Sequence, residues 1–125
     1  MNIVDIVKGL AAGVGIDLSP DEEIAYYVEW SIGELSKVEV DTGKVTRVLA
    51  GLNYPEDVEV DWETGEIFVS ERTGEITKVW PDESKVITNP GGAPQQLALV
   101  KESGKRYLFT VGYDSGFLTR IDVDT

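Results

Sequence analysis

The apolar positions of this chain alternate with polar ones over short stretches instead of recurring at helical spacing. Ile16-Asp-Leu18 and Val58-Glu-Val60 are apolar, charged, apolar, and Leu97-Ala-Leu99 keeps the same two aliphatics. Residues two apart share one face of a strand, so each triplet reads as a strand with one buried face. A polar turn follows each one: Ser19-Pro-Asp-Glu-Glu23, Asp61-Trp-Glu-Thr-Gly65 and Lys101-Glu-Ser-Gly104. After each turn comes an aromatic and aliphatic run, Ala25-Tyr-Tyr-Val28, Ile67-Phe-Val69 and Tyr107-Leu-Phe109. β-Branched and aromatic residues favour strands, and Gly, Pro and Asp punctuate them. One local signal dissents: Ser19-Pro-Asp-Glu-Glu offers an N-cap, a proline at the first helical position and first-turn acids, which is how helices start. The equivalent stretches 61–69 and 101–109 carry no such signal, and the strand reading is kept.

The pattern repeats. Gly33-Glu-Leu-Ser-Lys-Val-Glu-Val-Asp41, Gly74-Glu-Ile-Thr-Lys-Val-Trp-Pro-Asp82 and Gly116-Phe-Leu-Thr-Arg-Ile-Asp-Val-Asp124 align in register, with Asp41 and Asp82 41 positions apart and Asp82 and Asp124 42 apart. A period near 40 with four short strands per unit is that of a propeller blade. Each unit reads as strand a (the Ile16 type), b (the Tyr27 type), c (the Leu35 type) and d, the last at Lys44–Leu49 and Ser84–Thr88. The third unit stops at Thr125 without a strand d, while Asn2-Ile-Val-Asp-Ile-Val-Lys-Gly-Leu10 aligns with Lys44-Val-Thr-Arg-Val-Leu-Ala-Gly-Leu52, and Met1 takes the place of Gly43. The expected fold is all-β, with three four-stranded blades per chain. Residues 9–50, 51–89 and 90–125 are the blades, and residues 1–8 are an outer strand donated to a partner's third blade. Two chains then close head to tail into a six-bladed β-propeller, because three blades alone leave two apolar faces and an open strand edge.

Charge narrows the partners. With 23 acidic and 11 basic residues the formal charge is −12, which argues against nucleic acid and anionic membrane surfaces. The 125-residue chain has no cysteine, hence no disulfide or thiolate chemistry, and no histidine to serve as general base or zinc ligand. Ser31, Ser70 and Ser115 therefore cannot belong to a Ser-His-Asp triad. No signal-peptide pattern or membrane-length apolar run is seen, so a cytoplasmic location is the default expectation.

The stretch Gly51-Leu-Asn-Tyr-Pro-Glu-Asp-Val-Glu-Val-Asp-Trp-Glu-Thr-Gly-Glu-Ile-Phe-Val-Ser70 resembles the blade pattern of the six-bladed NHL, YWTD and gluconolactonase-like propellers. The resemblance covers nearly the whole chain and speaks for blades, not for an activity. Ile67-Phe-Val-Ser70 stands where YWTD would, and Asp17 and Glu59 replace an alanine common in strand a. Since that group builds six blades in one chain, a half-length chain reads as a fragmentary or engineered half. The gluconolactonase-like members imply an alternative function, a metal-dependent hydrolase or lactonase using carboxylates and amides at the channel mouth.

Propeller ligands gather where the b–c and d–a loops meet. Those loops carry Glu29, Trp30, Glu71, Arg72, Tyr113 and Asp114, with Asn53, Tyr54, Glu56, Asp57, Asn89, Gln95 and Gln96 where strands begin. This mixture of acids, amides and aromatics suits a small polar or sugar-like ligand, or simply the solvated mouth of any propeller. Asp17 and Glu59, each between two aliphatics on an inner strand, are the channel acids. They hold calcium on the axis through oxygen ligands, or else face channel water or a neighbouring cation. Trp62 and Trp80 read as blade-edge packing. The functional expectation is a self-assembling scaffold without evident catalysis, with no resident cofactor apart from that calcium.

Overall fold

A computed structural model describes residues 2–80 and 83–125; Met1, Pro81 and Asp82, to which the repeat assigns places, lie outside the described residues. The strands are β1 (Gly13–Leu18), β2 (Ile24–Glu29), β3 (Glu34–Glu39), β4 (Val45–Leu49), β5 (Pro55–Val60), β6 (Ile67–Glu71), β7 (Ile76–Trp80), β8 (Glu83–Thr88), β9 (Pro94–Glu102), β10 (Lys105–Gly112) and β11 (Leu118–Asp122). They form three antiparallel meanders in sequence order, β1–β4, β5–β8 and β9–β11, so the third sheet has three strands where the others have four. The opening strands of the sheets run side by side, β1 against β5 and β5 against β9.

The helix signal at Ser19 is used differently. Ser19 Oγ accepts the Ile24 N–H at 3.1 Å and donates to Asp21 Oδ1 at 2.6 Å, and Glu22 takes a left-handed φ of 63°. The serine thus closes a β-turn, and Ile24 onward is strand.

Ladder register tests the alignment of the units. Leu18 faces Ala25, Val60 faces Ile67 and Leu99 faces Leu108. The counterpart of Ile67 is therefore Leu108, which corrects the alignment of Tyr107 with Ile67 by one residue. The cause is a longer β9–β10 hairpin, closed by Ser103 and Gly104 with φ of 51° and 77°, the two positive values that a tight type I′ turn requires.

Apolar side chains fill the spaces between sheets. Val28 and Leu35 meet Val58, Val60, Ile67, Val69 and Val79 between the first and second sheets. Phe68 and Ile76 meet Leu97, Leu108 and Val123 between the second and third. Strand β6 thus sends alternate residues to opposite neighbours, Ile67 and Val69 to the first sheet and Phe68 to the third, as the period-two pattern requires. The two terminal faces are different. On the first sheet, Ala25, Tyr27 and Val38 are covered by Val7 from the N-terminal arm, but Ile16 is 67% exposed. Arm residues Val4, Ile6 and Leu10 and strand residues Val14, Ile16 and Tyr27 frame an apolar groove of about 410 Å³. On the third sheet, Val111 is exposed and Leu118 is 71% exposed. Among the described residues, no helix is long and apolar enough to cross a membrane.

Candidate functional site

The loops at one end of the sheets are built on a shared device. Ala12, Tyr54 and Ala93 occupy equivalent positions in the repeat and all have left-handed φ values, 55°, 52° and 52°. Their carbonyls accept the N–H groups of Trp30, Arg72 and Tyr113 at 2.9, 3.0 and 3.0 Å. Each strand b therefore ends by bonding to the loop that enters its own sheet, and this sets the next side chain, Trp30, Arg72 or Tyr113, on the loop face.

Those three side chains and two from the strand starts form one strip. The Trp30 and Tyr54 rings lie 4.7 Å apart at a 40° tilt. Trp30 Nε1 donates to Glu56 Oε1 at 3.1 Å, and Arg72 Nη1 is 3.6 Å from the same oxygen. The Arg72 guanidinium sits 5.6 Å from the centroid of Tyr113. Tyr54 and Tyr113 are exposed while Glu56 is nearly covered. Glu56 is thus the pivot between an aromatic pair and a cation resting on a third ring, a surface of flat apolar faces with donors at their edges.

The sequence placed Glu29 and Glu71 at the same mouth, but both are buried. Glu29 Oε2 accepts the Ala11 N–H and Glu71 Oε2 accepts the Asn53 N–H, both at 2.7 Å. Thr77 donates to the other Glu71 oxygen. These two acids hold the incoming d–a loops in place. Gln95 is half-buried and its main-chain carbonyl accepts from Ser70 Oγ.

The inner-strand acids have a defined use. Asp17 Oδ2 accepts the Val60 N–H at 2.8 Å, Asp57 Oδ2 the Leu97 N–H at 2.8 Å and Glu59 Oε1 the Leu99 N–H at 3.1 Å. In every case the carboxylate belongs to one sheet and the amide to the opening strand of the next. Burial raises the Asp57 and Glu59 carboxyls above their ordinary range, opposed by those same amide bonds, and the nearby Asp17 charge pushes both further up. Gly15 keeps the way clear: a Cβ there would lie 2.5 Å from Asp57 Cα. Trp62 adds another bridge between sheets, Nε1 donating to the Leu18 carbonyl at 3.1 Å, and Trp80 carries Lys78 over its ring at 4.6 Å.

At the opposite end lies an ionic cluster that the sequence reading did not find. Asp61, fully covered, accepts from Lys101 Nζ at 2.6 Å and from Arg106 Nη1 at 2.9 Å, and Arg106 also reaches Glu66 at 2.9 Å and Asp124 at 2.7 Å. Burial alone would raise the Asp61 and Glu66 carboxyls. It is outweighed at Asp61 by hydrogen bonds from Lys101 and Arg106 and at Glu66 by those from Lys78 and Arg106, so both are lowered. The available signal was the pair of cations, Lys101 and Arg106, around the third a–b turn. Among the described residues, no group of three or more Asp, Glu, His or Cys side chains is arranged to hold a metal ion.

Three solved structures are similar to this chain in fold. A streptogramin B lyase structure superposes with a TM-score of 0.64 at 13% identity, over 92% of this chain and 42% of that one. An auxiliary nutrient binding protein from Bacteroides thetaiotaomicron gives 0.66 at 12%, over 94% and 32%. One from Bacteroides ovatus gives 0.61 at 16%, over 90% and 31%. The fold is that of β-propeller blades. The chain spans less than half the length of each of these propeller proteins. No protein-family model and no curated protein matches the sequence.

Proposed function

We propose that this chain is a self-assembling propeller scaffold. Two copies close head to tail into a six-bladed ring, and the loop face offers the Trp30–Tyr54–Glu56–Arg72–Tyr113 strip to a small polar, ring-shaped ligand. The observation that carries the assembly is the groove between the N-terminal arm and β1, with its exposed Ile16. It is open on the side where a preceding blade would stack. The face of the third sheet that exposes Val111 and Leu118 has the matching apolar character, and among the described residues β11 borders no fourth strand. In the closed ring the arm would lie along the partner's β11, supplying ladder bonds and covering the edge. Burying two such faces removes the exposed apolar surface that a soluble monomer would have to tolerate.

Light scattering tests the assembly: the expected mass is twice that of the chain and nearly independent of concentration, since obligate interfaces of this kind bury roughly 2,000 Å² or more. A compact monomer overturns it, and a trimer or tetramer overturns the count of six. The metal-dependent hydrolase alternative has no geometric observation behind it.

A further inference from the structure

The hydrogen bonds between opening strands follow a pattern, and at the two ends of the chain Ile16 in β1 and Gln96 in β9 hold positions of that pattern with no neighbouring sheet among the described residues of this chain to complete it. The backbone N–H groups of Val60 in β5 and of Leu97 and Leu99 in β9 bond to side chains of the preceding sheet, and the ladder register makes Ile16 and Leu18 of β1 and Val58 of β5 their counterparts. The positions that face the following sheet are Gly15, which has no side chain, and Asp17 in β1, Asp57 and Glu59 in β5, and their register counterparts Gln96 and Ala98 in β9. Between the second and third sheets both positions are used, Asp57 for Leu97 and Glu59 for Leu99. Between the first and second, Asp17 serves Val60. Gly15, with no side chain, offers nothing to Val58.

The same logic applies to the terminal faces. Ala98 has no acceptor to offer a following Leu18, and the Leu18 N–H is already bonded to its own Asp17 Oδ1 at 2.9 Å. The Ile16 N–H has no such local substitute, because the residue before it is Gly15. Gln96, on the outward face of β9 and exposed, carries an amide oxygen in the position that Asp57 fills one sheet earlier. We infer that the joint between two copies is registered by a hydrogen bond from the Ile16 N–H of one chain to the Gln96 side-chain oxygen of the other. The match identifies the occupant of the terminal faces as a second copy of this chain, whose two ends complement one another in both positions of the pattern. A neutral amide here also avoids adding two buried carboxylates to a ring already rich in inner-strand acids. This inference rests on the assembly proposed above.

Amide hydrogen exchange on the ¹⁵N-labelled chain tests the tie, alongside light scattering. In the parent, the Ile16 amide should be protected. Gln96→Ala should speed exchange at Ile16 about tenfold, the loss of one net hydrogen bond, and leave Val60, Leu97 and Leu99 unchanged. Gln96→Glu, which keeps an acceptor oxygen, should retain the protection. If Gln96→Ala falls to the single-chain mass while Gln96→Glu stays at the two-chain mass, the tie is supported equally. A two-chain parent in which Ile16 exchanges at the same rate with and without the Gln96 side chain overturns the tie and leaves the ring standing. A single-chain parent overturns the ring, and the tie with it.

Discussion

Tyr54 stacks against Trp30 from a backbone position that an aromatic residue adopts only under strain. The φ of 52° places it in the left-handed region, where the equivalent residues of the other two units are alanines. A left-handed non-glycine residue costs roughly 1 kcal/mol, about what an aromatic pair returns. Tyr54→Gly should therefore leave the unfolding free energy within about 1 kcal/mol of the parent, while Trp30 fluorescence shifts as the ring loses its neighbour. A loss of more than about 2 kcal/mol in denaturant titration would show that the stack is structural and would remove the main reason for reading the strip as a ligand platform.

The ionic cluster fixes the sign of the acid response. Asp61, Glu66 and Asp124 have carboxyls lowered in the folded chain; for Asp124 the Arg106 hydrogen bond is the main cause. Their stabilisation is present above the unfolded value of about 4 and is lost as pH falls through their folded values. Asp57 and Glu59, which are raised, act with the opposite sign as pH crosses the carboxylate range. Asp61→Asn should cost roughly 2 kcal/mol at pH 7, less than a fully buried pair because Lys101 stays solvent-screened. It should also flatten the fall in melting temperature between pH 4 and 2. An unchanged acid limb in the variant would contradict this account.

Calcium separates two uses of the inner-strand acids. With both Asp17 oxygens accepting backbone N–H groups, added calcium should leave the melting temperature unchanged. Asp17→Ala should cost about 1 to 3 kcal/mol with or without the ion, since it strands the buried donor of Val60. A calcium-dependent rise in melting temperature that Asp17→Asn with Glu59→Gln abolishes would instead put a cation on the axis by mass action.

Much of this fold was legible because period two is a local signal. The triplets at Ile16, Val58 and Leu97 marked β1, β5 and β9, and the spacings of 41 and 42 between Asp41, Asp82 and Asp124 gave the unit length. Glu29 and Glu71 stand at the strand-b ends, but their burial was not legible: at a strand end, a carboxylate aimed at solvent and one folded back on a loop N–H have the same sequence context. Asp17 was singled out as an acid among aliphatics, yet its partner is a backbone amide 43 residues away, and backbone donors leave no trace in residue identity. The strip was half visible. Its residue types were in the sequence, but the role of Glu56 as their shared acceptor depends on how two units stack.

Removal of the arm tests the terminal groove. Deleting residues 2–7 uncovers Ala25, Tyr27 and Val38, which Val7 packs against, and in a two-chain ring it also strips β11 of its neighbour. The expected result is loss of the two-chain species and a lower melting temperature, well beyond the effect of trimming a free terminus. Ile6→Pro should act the same way by removing a ladder donor. A soluble dimer of unchanged melting temperature after either change would mean that the third sheet is completed by something other than this arm.

The long β9–β10 hairpin carries a practical consequence. Its Ser103–Gly104 turn extends past the a–b turns of the other two units, at the end of the sheets away from the aromatic strip, and the flanking Glu102 and Lys105 are exposed. Exposed tight turns of this kind accept inserted sequence with little disturbance to the elements they join. A peptide grafted between Ser103 and Gly104 would appear once per chain, so a ring of two chains would display it as a diametrically opposed pair, a bivalent presentation whose spacing is set by the barrel of blades and not by any linker.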